Sequence, residues 1–171
     1  IKIMINLIPQ RASKLIIFLA YFILFSGCNA STAEHLNSYS KVTIVLPDGT
    51  HVPTYIAETR DQQTKGLSAI MPKDFKASEA MLFPEKEMMM RQFWMPNTHF
   101  DLDVIFMNAD YYVLDIHRKV KHFPREPKFK GEVPLSKTVF SQHVLEIKAS
   151  SELSKLIQPG MQLKMMKSQN P

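Results

Sequence analysis

Residues 41–56 read KVTIVLPDGTHVPTYI. Val42, Ile44 and Leu46 alternate with Lys41 and Thr43, the period of two expected when one face of a strand is buried. Pro47-Asp48-Gly49 supplies turn chemistry, Pro fixing φ and Gly accepting positive φ, and a second strand follows through Ile56. A β-hairpin is predicted, and the chain on its carboxyl side repeats the pattern. Further strands are expected over residues 80–83, 90–95, 102–107, 111–122, 139–147 and 161–166, with Asn108-Ala109-Asp110 as the turn between two of them. Helices are few: Thr59 with Gln62 makes a capping box for a short one that Gly66 ends, and a second lies over residues 151–157 before Pro159-Gly160. Many short strands between close turn signals predict a mainly β fold, a single compact sandwich or barrel with one or two short helices.

On the amino side of the hairpin the composition changes. Lys2, Arg11 and Lys14 precede residues 15–25, eleven residues without a charge, and small Ser26 and Gly27 follow. This is the three-part layout of a secretory signal, and the run is shorter than the roughly 20 residues a spanning helix needs. Leu24-Phe25-Ser26-Gly27-Cys28 resembles the lipobox of bacterial lipoproteins, with Phe25 where that pattern usually has Leu. The resemblance implies diacylation of Cys28, the chain's only cysteine, and anchoring of the protein to a membrane. Ordinary signal cleavage after Ala30 or Ala33 is the alternative. Asn29 stands where the enterobacterial pattern has an Asp for inner-membrane retention, which implies the periplasmic face of the outer membrane.

Cleavage also changes the charge. The chain carries 21 Lys and Arg against 16 Asp and Glu, and loss of the three amino-terminal cations leaves 18 against 16. A nearly neutral domain lacks the concentrated basic surface that nucleic acid calls for. The resulting organisation is a signal peptide over 1–27, a lipid-anchored flexible tether over 28–40, a domain over 41–167 and a short tail over 168–171.

Phe93-Trp94-Met95-Pro96-Asn97-Thr98, with Leu102-Asp103-Val104 and Phe106 beyond it, resembles the F-W-M-K-N-T-x-x-P-L-D-[IV]-x-F signature of the domain-of-unknown-function 192 family. Gly66-Leu67, Ala80-Met81-Leu82-Phe83 and Val144-Leu145-Glu146-Ile147 match its other segments in order. The likeness covers residues 41–166 and implies a jelly-roll type of β-sandwich, often behind an export signal, with no agreed activity. Ser68 and Ile70 stand where the family usually has Met and Arg, Pro96 replaces its Lys and Asp101 its Pro, so the resemblance carries over no function that needs that Arg or Lys.

Trp94, Asn97, Thr98 and Asp103 are the candidate ligand-binding residues. An indole, an amide, a hydroxyl and a carboxylate within ten residues can converge as the few polar groups of an apolar pocket. The competing reading makes Asn97 and Thr98 turn residues, Asp103 an acceptor of backbone N–H groups and Trp94 part of the core. His99, Asp101 and Asp103 alternate and could share a strand face as metal ligands or acid–base groups. Met88-Met89-Met90 and Met165-Met166 could hold Cu(I), although methionine is commonly a core gap-filler. The basic stretch over 118–130 reads as a solvated loop or as a surface for anionic lipid.

Two classes of function remain. One is a non-catalytic ligand-binding or interaction module of the envelope, with no cofactor and no nucleic-acid partner. The other is an envelope-polymer hydrolase using Asp103 with His99 or His117, or a metal-binding protein. No G-x-S-x-G, H-E-x-x-H or phosphate loop is present, and no cysteine other than Cys28.

Overall fold

The computed structural model describes residues 32–167. The signal, lipobox and tail readings fall on residues 1–31 and 168–171, outside the described part. The described chain is mainly β, as expected, with three short α-helices: α1 (Thr32–Asn37), α2 (Arg60–Lys65) and α3 (Glu152–Leu156). Nine strands make the rest: β1 (Ser40–Val45), β2 (His51–Ile56), β3 (Ala80–Phe83), β4 (Met89–Arg91), β5 (Leu102–Met107), β6 (Val113–Val120), β7 (Val139–Ser141), β8 (His143–Lys148) and β9 (Lys164–Lys167).

Seven of these form one curled half-barrel sheet in the order β6-β5-β8-β3-β2-β1-β9, while β4 and β7 pair separately. All neighbours are antiparallel except β2 and β3. The hairpin forms as the alternation predicts: Val45 pairs with His51, the Leu46 and Thr50 backbones close the turn, and Gly49 takes φ +86°. Pro53 is tolerated in β2 because the β3 pairing begins only at Thr54.

The middle of the large sheet is buried on both faces. Leu102, Val104, Phe106, Met81, Phe83 and Val144 enter one core, and Ile105, Met107, Leu82, Leu145 and Ile147 enter the other. Strands β3, β5 and β8 are therefore buried at every position rather than alternately, with β3 and β5 apolar but for Asp103 and β8 carrying His143, Glu146 and Lys148 among its apolar residues.

Ordered structure begins earlier than Lys41, which corrects the tether reading for residues 32–40. Leu36 of α1 and Tyr39 just beyond it enter the first core, and the Tyr39 hydroxyl donates to the Gln62 and Gly66 carbonyls. Two spaced apolar residues in a polar stretch were enough to dock it. The single strand expected over 139–147 is two strands in different sheets, broken at Gln142. There the backbone N–H donates to the Met107 carbonyl while the side-chain amide donates to the Glu85 and Lys86 carbonyls.

Candidate functional site

The four candidate residues do not meet. Asp103 lies on the face of β5 shared with Ile105 and Met107, whereas Trp94 and Thr98 belong with the opposite core. The Asp103 carboxylate is 2 % exposed and fully engaged. It accepts from Arg118 Nη1 at 2.9 Å, from the Lys119 backbone N–H at 2.7 Å and from the Ser154 hydroxyl. Arg118 also donates to the carbonyls of Ser154 and Ile157. The network fastens a bulge between β5 and β6, where Lys119 takes φ +55°, to the end of α3.

Asn97 is a turn residue. It takes φ +48°, its carbonyl accepts from the Ala69 N–H at 2.7 Å, and its side-chain amide donates to Glu126. Thr98 exchanges both backbone hydrogen bonds with Phe123. The His99, Asp101 and Asp103 face does not form either, because Asp101 turns outward to Lys121 and His122 at 2.8 and 2.7 Å. Partial burial would raise the Asp101 carboxyl, but the hydrogen bonds from Lys121 and His122 outweigh it and bring its pKa down to about 2. His117 Nδ1 accepts from the Lys137 backbone N–H, away from Asp103. Among the described residues no three His, Cys, Asp or Glu side chains are grouped to hold a metal.

One further expectation changes. Met88, Met89 and Met90 are exposed on and beside β4 and fill no core gap, whereas Met81, Met95 and Met107 do. In the basic stretch three of the six cations are paired among the described residues, Arg118 with Asp103, Lys121 with Asp101 and Arg125 with Glu132.

What sequence reasoning missed is Glu146. It sits mid-strand in β8, opposite Val104 of β5 and Met81 of β3, on the face of the first core. It is 4 % exposed and, among the described residues, forms no hydrogen bond. Among the described residues no positive group compensates it: burial alone pushes its pKa up to about 8. Lys148, two residues on along the same face, instead donates to the Pro72 carbonyl at 2.6 Å and lies over the Phe100 ring.

Glu146 lines a small cavity of about 40 Å³, room for a few waters. Phe83, Phe93, Leu102 and Met95 supply apolar walls, the end of α2 and the turn after it line another side over residues 63–68, and Trp94, Pro96 and Thr98 complete it. Trp94 is 40 % exposed, so it stands at the rim rather than in the core. Pro96, where the family pattern has Lys, is one of these lining residues, and Ile70, where it has Arg, is fully buried. Gly66 is required at the wall: it takes φ +45°, and a Cβ there would come within 3.2 Å of the Phe83 ring. Tyr39 reaches the same turn, and burial together with the Glu146 charge pushes its hydroxyl up to about 12. The signal available in the sequence was a single carboxylate inside the apolar run Val144-Leu145-Glu146-Ile147.

A family model, "DUF192: Uncharacterized ACR, COG1430", matches residues 43–165. Two solved structures share the fold. A protein from Sinorhizobium meliloti 1021, named as a candidate transcription regulator, superposes with a TM-score of 0.59 at 23 % identity, over 75 % of this chain and 95 % of that one. A protein of unknown function from Novosphingobium aromaticivorans DSM 12444 gives 0.53 at 27 % identity, over 72 % and 83 %. No curated protein matches.

Proposed function

The chain belongs to the DUF192 family, and on that premise we propose that it is a non-catalytic binding module of the cell envelope whose site is the Glu146 cavity. Glu146 carries this reading. A buried carboxyl without a hydrogen-bond partner costs stability, and such groups are concentrated where a fold uses them. The cavity admits a chemical group rather than a whole molecule, so the ligand enters by one end past Trp94.

Trp94 is the only tryptophan of the chain, which makes its fluorescence a reporter of the site. Its emission is expected to change as pH passes about 8 in the wild type and to stay constant in Glu146→Gln. A thermal-shift screen of small alcohols, amides and amines should give a hit that is lost in Glu146→Gln and weakened in Trp94→Leu. At about 100 times its dissociation constant a ligand stabilises by roughly 2.7 kcal/mol. Identical pH profiles for the two proteins, with no hit in the screen, would sink the reading.

The envelope part of the proposal is supported by the lipobox-like residues 24–28. Cells making the chain in the presence of an alkyne-labelled fatty acid should carry the label in the membrane fraction, and Cys28→Ser should lose both label and membrane association. An unlabelled wild-type protein refutes anchoring without touching the cavity.

A further inference from the structure

We infer that the Glu146 cavity takes the charged end of a primary alkylammonium group, with the Glu146 carboxylate as its counter-ion and the Phe83, Phe93 and Trp94 rings as its walls. The inference rests on reading the cavity as a binding site and deepens it.

Charge is the first reason. A carboxylate in an apolar interior is retained when it is paired. Among the described residues none supplies a partner: Lys148 is turned to Pro72, and Arg118 is committed to Asp103 across the sheet. Lys65 lines the cavity but contributes nothing to the balance at Glu146, whose only perturbation is burial. The missing positive charge has to arrive with the ligand.

Wall chemistry is the second reason. Three aromatic rings line a cavity of this size, and aromatic faces attract ammonium groups within about 6 Å, more strongly when water is excluded. Dimensions are the third. About 40 Å³ holds an ammonium and the adjoining methylene but excludes a bulky quaternary head, and a chain can trail out beside half-exposed Trp94.

The other titratable and charged groups turned toward Glu146 are few. Tyr39 stays neutral below about 12, His35 is bonded to Tyr39 and Gly66 with its pKa lowered by burial and by Lys65, and the Lys148 ammonium is held by the Pro72 carbonyl. The proton lost on binding is therefore that of Glu146.

The test is titration of the purified protein with n-butylammonium chloride, read by Trp94 fluorescence, with n-butanol and tetramethylammonium as controls. Affinity for butylammonium should rise about tenfold per pH unit up to about 8 and level off above it. Each control should bind at least roughly tenfold more weakly. Glu146→Gln, an isosteric change that removes the buried charge, should stay folded and lose the affinity and its pH dependence. Nα-acetyl-lysine amide separates two sources of the same group: tighter binding than butylammonium assigns a lysine side chain of a polypeptide, weaker binding a free amine. If n-butanol binds as well as butylammonium, or Glu146→Gln keeps the cation, the ammonium assignment is overturned while the cavity remains a site. If neither probe binds and Glu146→Gln leaves the pH profile unchanged, both readings fall.

Discussion

Asp103 and Arg118 form an ion pair at 2.9 Å on one face of the large sheet, and Glu146 on the other stands without a counter-charge among the described residues. The two carboxylates lie on adjacent strands and behave in opposite ways. One is fastened into the fold and the other is left open to a cavity.

Asp103→Asn is expected to destabilise the domain by about 2–4 kcal/mol in chemical denaturation, because Arg118 and Ser154 lose a buried partner. Arg118 is about one-third exposed, which holds the cost below that of a fully buried pair. Ligand binding at the cavity should be unchanged. A variant of wild-type stability with lost binding would place Asp103 in the site instead.

Glu146 should make stability fall as pH rises. Its pKa is 4.5 in an exposed chain and about 8 when folded, so the folded state holds the extra proton between those values. The stabilising proton is fully present below 4.5 and lost as pH rises through about 8, at about 1.4 kcal/mol for each unit of separation. Urea unfolding from pH 5 to 9 should show this decline in the wild type and a flatter curve in Glu146→Gln, with the variant the more stable at pH 9. Parallel curves would mean the carboxyl is solvated in solution.

Gly66→Ala should cost about 1–2 kcal/mol, since the residue holds φ +45° and the new methyl group meets Phe83. The same methyl narrows the cavity wall, so affinity for any ligand should fall together with stability. An unchanged unfolding midpoint would contradict the close approach.

Removing residues up to 40 should weaken the fold by several kcal/mol, because Leu36 and Tyr39 leave the first core. Leu36→Ala alone should cost about 2–4 kcal/mol. Equal thermal midpoints for chains beginning at residues 31 and 41 would show that α1 does not hold its place.

The hairpin over 41–56 and the Thr59 to Gln62 capping box were legible because neighbours in the chain decide them: Gln62 N–H donates to Thr59 Oγ1, and Thr59 N–H donates to Gln62 Oε1. Family membership was legible for the same reason, being carried by strings of adjacent residues. Other features depend on residues far apart. The break at Gln142 rests on Glu85 and Met107, and the docking of Tyr39 on Gln62 and Gly66.

The candidate site divides along this line. Sequence alone brought Trp94, Asn97, Thr98 and Asp103 together by proximity, which a sheet undoes whenever a strand turns its alternate residues to opposite faces. Tertiary structure decided that Trp94 and Thr98 share a cavity with Glu146, about fifty residues on, and that Asp103 is spent on Arg118. The sequence by itself determined local periodicity, caps, turns and the export-like amino end. Only the fold decided which carboxylate is paired, because desolvation and counter-charge are properties of the assembled interior and not of the strand that carries the residue.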